Sequence, residues 1–162
     1  MEYLRIYQIT ARKRKLCRKL CWDEMRHNDP MPVNDIDHVQ LAAPGECEGA
    51  ARQFFGQLLG LEELEKPEPL RARGGCWFKI GAKQLHIGVE EPFRPAAKAH
   101  PAFAVSDIDA LFATLQRAGV QCAWDEAPGG IRRFYANDPW GNRLEFVAEG
   151  SAHEVSTAGH EA

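Results

Sequence analysis

The sequence lacks any apolar run approaching the roughly eighteen consecutive residues a membrane-spanning helix needs, and its mean hydropathy is −0.41. No apolar stretch of about 7–15 residues follows the basic N-terminal run, so the pattern of a secretory signal is missing too. A cytoplasmic location is the default expectation. There is no excess of positive charge, since 20 Lys and Arg stand against 23 Asp and Glu for a net −3. Residues 1–33 hold eight basic and four acidic side chains, a net +4, which leaves −7 on residues 34–162. An acidic main body offers no face for displacing phosphate counterions, which argues against a nucleic-acid partner. Nor is there an even cysteine framework: Cys17, Cys21, Cys47, Cys76 and Cys122 are five at irregular spacing, as expected of reduced thiols.

What is present is an ordinary globular composition, 44% hydrophobic and 27% charged over 162 residues, enough for one domain or two small packed modules. The run Arg12-Lys13-Arg14-Lys15, continued by Arg18 and Lys19, reads as part of a basic, flexible extension over residues 1–33. Pro30 and Pro32 mark its end, because proline disfavours helix in the residue before it. The tail 150–162, small and acidic apart from His153 and His160, reads as disordered.

Residues 34–149 read as the folded domain. Ile36 to Leu41 alternates apolar and polar side chains, the period of a half-buried strand. Ala50, Ala51, Phe54, Phe55, Leu58 and Leu59 then recur at helical spacing, and Gly60 stands where a C-terminal cap belongs. Strands are predicted over Leu61–Glu65, Cys76–Ile80 and Gln84–Val89, with a Pro-rich loop after the first. After the linker around Pro92 and Pro95, His100–Val105 is strand-like. Ser106 offers an N-cap for a helix carrying Ile108, Leu111, Phe112 and Leu115, which Gly119 closes. Val120–Trp124, Arg132–Ala136 and Arg143–Val147 supply three further strands, the last two joined by the turn Asp138-Pro139-Trp140-Gly141-Asn142. The order is β-α-β-β-β twice, module 1 over about 34–91 and module 2 over about 98–149. Offsets of 62 residues from His38 to His100, and of 59 from Gly60 to Gly119, Leu85 to Leu144 and His86 to Glu145, identify an internal repeat. The expected fold is α+β, two tandem βαβββ modules whose sheets pair into a cleft.

Polar residues interrupt these strands at matching places. His38 and His100 open the first strand of each module, and His86 and Glu145 occupy equivalent positions in the last. Imidazole and carboxylate are the usual donors for zinc, iron, nickel and manganese, so this set is a candidate divalent-metal site. The 59-residue offset matches Glu145 to His86 and not to Gln84, two residues away on the same strand face. In the penultimate strand alternation sends Arg133 and Tyr135 to one face and Arg132 and Phe134 to the other, so one arginine is a candidate for an anionic group on the substrate. Trp77, Phe78 and Trp124 are candidate cleft aromatics, weighed against ordinary core packing.

The repeat, the two histidines and the run Asn137-Asp138-Pro139-Trp140-Gly141-Asn142-Arg143-Leu144-Glu145-Phe146 resemble the vicinal oxygen chelate superfamily, the group of glyoxalases, bleomycin-resistance proteins and extradiol dioxygenases. The resemblance covers residues 34–149 and implies a U-shaped β-sheet cleft. It also implies a divalent metal (Zn, Ni, Mn or Fe) held by His38, His86, His100 and Glu145, and a small substrate that chelates it through two adjacent oxygens. Homodimerisation is implied as well, with no membrane or nucleic acid involved. Bacterial glyoxalase I enzymes carry a carboxylate where this chain has His86, and that carboxylate shuttles protons. An imidazole titrating near about 6.5 is suited to the same task, so His86 and Glu145 are the candidate catalytic bases, with Arg133, Tyr135 and Trp77 on the substrate side. The function so implied is metal-dependent lyase or isomerase chemistry. The alternatives are a non-catalytic, ligand-sequestering resistance protein and, were the metal iron, an extradiol-type dioxygenase.

Overall fold

The computed structural model describes residues 33–125 and 130–150. The expected flexible extension, apart from Val33, and nearly all of the expected tail lie outside the described residues. The chain divides into the units Met1–Asp35 and Ile36–Ala162, and every element described here belongs to the second. No helix among the described residues is long and apolar enough to cross a membrane.

Module 1 runs β1 (His38–Ala43), α1 (Glu48–Ala51) continued by a π-helical turn (Arg52–Leu58), β2 (Glu63–Leu64), α2 (Glu68–Arg71), β3 (Cys76–Ile80) and β4 (Lys83–Val89). Module 2 runs β5 (Ala102–Val105), α3 (Ile108–Arg117), β6 (Cys122–Asp125), β7 (Arg133–Asn137) and β8 (Arg143–Ala148). Each forms a four-stranded mixed sheet, in the order β1-β4-β3-β2 and β5-β8-β7-β6, with the first and last strands parallel. The α+β fold of two βαβββ modules is therefore as expected. The register carries the repeat: Gln40 faces His86 in module 1, and Ala102 faces Glu145 in module 2, displaced by 62 residues on the first strand and 59 on the last.

Period-2 alternation decides what each sheet buries. Leu41, Ala43, Leu85, Ile87, Cys76 and Phe78 turn inward in module 1, and Phe103, Phe134, Ala136, Leu144 and Phe146 in module 2. The helical stripe buries Ala51, Phe54 and Phe55 against them, and α3 adds Ile108 and Leu115. Full burial of each large side chain contributes about 1.5–3 kcal/mol. Gly60 (φ 71°) and Gly119 (φ 81°) close their helices in the left-handed region, where a β-carbon is strained.

Local details differ from the sequence expectation for physical reasons. The first helix widens after Ala51, with Leu59 N–H reaching Phe54 O at 3.0 Å. The cap of α3 is Asp107, not Ser106: its carboxylate accepts the N–H of Ala110 at 2.9 Å, while Asp109 is engaged by Arg132. Strand β2 is only two residues long, and the Pro-rich loop contains α2, started by Pro67 and Pro69. His100 lies two residues before β5 because Pro101 has no N–H for a ladder; its carbonyl instead accepts Glu145 N–H at 3.1 Å.

The Asp-Pro-Trp-Gly-Asn turn fastens the modules together. Asp138 Oδ1 accepts the N–H groups of Trp140 and Asn142 at 3.0 and 2.8 Å. The Asn142 amide donates to Asp138 Oδ2 at 2.6 Å and to Ala42 O of β1 at 2.8 Å, and its oxygen accepts Ala96 N–H at 3.0 Å. One side chain, 1% exposed, thus joins β8, the inter-module linker and module 1.

Candidate metal and substrate site

In module 1 the alternation that buries Leu85 and Ile87 turns Gln84 and His86 to the opposite face. There Trp77 is directly across from His86 on β3, and Gln40 is across from it on β1. Three rings stack: Trp77 on His86 at 4.0 Å between centroids and 4° between planes, and His86 on His38 at 4.2 Å and 20°. His38 Nδ1 donates to Asp37 Oδ1 at 2.8 Å, which leaves Nε2 as the outward nitrogen, and a carboxylate behind an imidazole is the usual support of a metal-binding histidine. His86 Nε2 lies 2.8 Å from Gln84 Oε1. Burial, and next the neighbouring His38, hold the His86 pKa below that of an ordinary imidazole, so the ring is neutral at pH 7, the form that ligates metal.

In module 2 the equivalent face carries Glu145, with Tyr135 across from it on β7. His100 reaches Glu145 from outside the sheet, Nε2 to Oε2 at 2.8 Å, while its Nδ1 donates to Lys98 O at 2.8 Å. A carbonyl only accepts, so Nδ1 carries the hydrogen and the neutral ring has its lone pair at Nε2, facing a carboxylate oxygen that also only accepts. Two acceptors at that separation are satisfied by a cation, either a proton on Nε2 or a metal ion on both. The donor set and its supports therefore fit a divalent ion. The other oxygen of Glu145 accepts from Arg133 Nη1 at 3.2 Å, and the remaining edge of that guanidinium holds Asp125, the cross-strand neighbour of Arg133, at 2.7 Å. Arg133 thereby braces Glu145. His100 also meets the edge of Tyr135 at 5.6 Å, and the Arg143 guanidinium lies 3.9 Å over the Tyr135 ring.

The four expected ligands thus occur as two pairs, His38 with His86 and His100 with Glu145, and no group of three His, Cys, Asp or Glu among the described residues comes together to hold a metal. Arg133 and Tyr135 share the face of Glu145, while Arg132 and Phe134 take the other, as alternation requires. Phe78 is core. Trp124 packs on Phe112 and Phe134 beneath Arg132, on the face away from Glu145. The reading of the sequence missed Asp125, whose role depends on the β6–β7 register, and Arg143, which is two residues before Glu145 and so shares its face.

Two modules of this topology, each presenting a histidine-centred pair on the polar face of its sheet, define a class before any comparison. The sequence profile of the Glyoxalase/Bleomycin resistance protein/Dioxygenase superfamily matches residues 35–146. The chain belongs to this superfamily, the vicinal oxygen chelate group. A glyoxalase family protein from Bacillus anthracis is similar in structure at 49% identity and TM-score 0.71, over 74% of this chain and 98% of that one. Lactoylglutathione lyase from Agrobacterium tumefaciens (21% identity, TM-score 0.58, 74% and 96% covered) shares the fold. So does the genomically encoded fosfomycin resistance protein FosX from Listeria monocytogenes (18%, 0.58, 72% and 93%). No curated protein matches the chain at a significant level.

Proposed function

We propose that this chain is a divalent-metal-dependent enzyme of the glyoxalase-like type, performing lyase or isomerase chemistry on a small substrate that chelates the metal through two adjacent oxygens. The observation that carries the reading is the His100–Glu145 pair, an imidazole nitrogen and a carboxylate oxygen held 2.8 Å apart by independent supports. His38, His86, His100 and Glu145 would hold the ion, and imidazole with carboxylate suits zinc, nickel, manganese or iron. Because the pairs belong to different modules, the reading includes a homodimer in which module 1 of one copy faces module 2 of the other. Bound there, a divalent ion supplies Lewis acidity toward the chelating oxygens, which lowers the cost of removing a proton from the adjacent carbon.

The protein's own residues supply the rest. His86, neutral at pH 7 and stacked between Trp77 and His38, would accept that proton on leaving the ion, since its one lone pair serves either the metal or the proton. Glu145, with one oxygen held by Arg133, presents only the other as ligand or base. Tyr135 borders the substrate beside His100, and Trp77 and Arg133 bound the space through the sides not engaged with His86 and Glu145.

The test is metal content per chain by elemental analysis on untagged protein, for the parent, His100→Ala and Glu145→Ala. Near-stoichiometric metal that both substitutions remove is the expected result. A parent without metal after reconstitution with zinc, nickel, manganese and iron would overturn the enzyme reading in favour of a ligand-sequestering protein.

A further inference from the structure

Two arginines stand on the face of Glu145, and their surroundings separate their roles. Arg133 is spent: its fork holds Asp125 and Glu145. Arg143 is half-buried and forms no ion pair among the described residues. Its guanidinium carbon lies over the Tyr135 ring, 3.9 Å from the centroid, and its cross-strand neighbour is Asn137. A pocket of about 730 Å³ opens beside it, lined by Arg143, Tyr135, Asn137, Gln116 and Gln121. Arg143 is the single charged group of that lining, whose other polar side chains are three amides, the Tyr135 phenol and the Cys122 thiol. A guanidinium held over an aromatic ring by cation–π attraction loses less freedom when an anion arrives than one that extends into water. Tyr135 connects the pocket to the ligand pair, since the ring that Arg143 covers also touches His100.

We infer that Arg143, with Asn137 and Tyr135, forms a subsite for an oxyanion, so that the substrate is a small molecule bearing a carboxylate or phosphoryl group apart from its chelating oxygens. This rests on the metal reading only for the role of the neighbouring ligands. The contact is a charge-assisted, two-point hydrogen bond between the guanidinium and two anion oxygens.

The experiment is calorimetric titration of inorganic phosphate, and of acetate in parallel, into the full-length chain stripped of metal, at low and constant ionic strength. The parent is expected to bind at least one of the two saturably at one site per chain. Arg143→Gln should weaken that binding at least tenfold, whereas Arg143→Lys, which keeps the charge but not the fork, should weaken it less. Arg132→Gln, which removes an exposed arginine paired with Asp109, should leave it unchanged. Acetate binding the tighter marks a carboxylate substrate, and phosphate the tighter marks a phosphoryl one. Absence of saturable binding of either anion by the parent, or binding that Arg143→Gln leaves intact, would overturn the inference. Because no metal is present in this assay, its failure is distinct from a failure of the metal reading, which the metal analysis alone decides.

Discussion

Replacing Asn142 by alanine removes the side chain that fastens the two modules, and the structure gives the size of the effect. The substitution deletes three hydrogen bonds, to Asp138 Oδ2, Ala42 O and Ala96 N. It leaves those groups facing a void where the side chain was 1% exposed. Neutral bonds contribute about 1 kcal/mol each and a bond to a carboxylate about 1.5–3 kcal/mol, for a total loss of about 3–5 kcal/mol. That is a large part of the 5–15 kcal/mol typical of a domain. Asp138 worsens the outcome: burial already raises its pKa, and it keeps only the N–H groups on Oδ1. Urea denaturation followed by far-UV circular dichroism measures the change, and the melting temperature should fall by about 10–20 °C. Asn142→Asp, which sets a second carboxylate against Asp138, should be no milder. A loss below about 1 kcal/mol for Asn142→Ala would refute the account of this turn as the inter-module fastening.

Three further perturbations test other parts of the account. Arg133→Leu frees the Glu145 carboxylate from its brace and should weaken metal binding about 10–100-fold by competition with a chromophoric chelator, with Arg133→Lys recovering part of the loss. Trp77→Ala removes the ring that fixes His86 and should weaken metal binding several-fold, in keeping with about 1 kcal/mol for a stacked pair. Trp77→Phe, which keeps a ring there, should bind metal as the parent does. Glu48 accepts Gly75 N–H at 2.6 Å, and backbone donors, its own first and that of Gly75 next, hold its pKa below the ordinary 4.5. Its contribution is therefore present above pH 4.5 and lost as the pH falls through the folded-state value. Glu48→Gln should flatten the stability profile in that acidic range, with about 1–2 kcal/mol lost at neutral pH.

The fold was legible because the hydrophobic periods and the repeat constrain each other. A strand misread by two residues, as at Leu61–Glu65, still leaves Cys76–Ile80 and Lys83–Val89 in register. Caps and ends were less legible, because Ser106 and Asp107 are both good N-cap residues and only the reach to Ala110 N–H distinguishes them. At the site, the sheet face shared by Arg133, Tyr135 and Glu145 follows from alternation. The occupation of the Arg133 fork by Asp125 and Glu145 does not, since it depends on the pairing of β6 with β7. Sequence position likewise pairs His38 with His100 through the repeat, whereas in space each histidine meets the ligand of its own module.

The most direct test of a metal site completed by a second copy is metal content after mixing two defective chains. His86→Ala and Glu145→Ala proteins, each depleted of metal alone, are unfolded, mixed in equal amounts, refolded and reloaded. A site built from module 1 of one copy and module 2 of the other predicts recovery of about a quarter of the parental metal, because half of the dimers are mixed and each mixed dimer holds one intact site. Recovery of none, with the parent reloading fully under the same treatment, would contradict it.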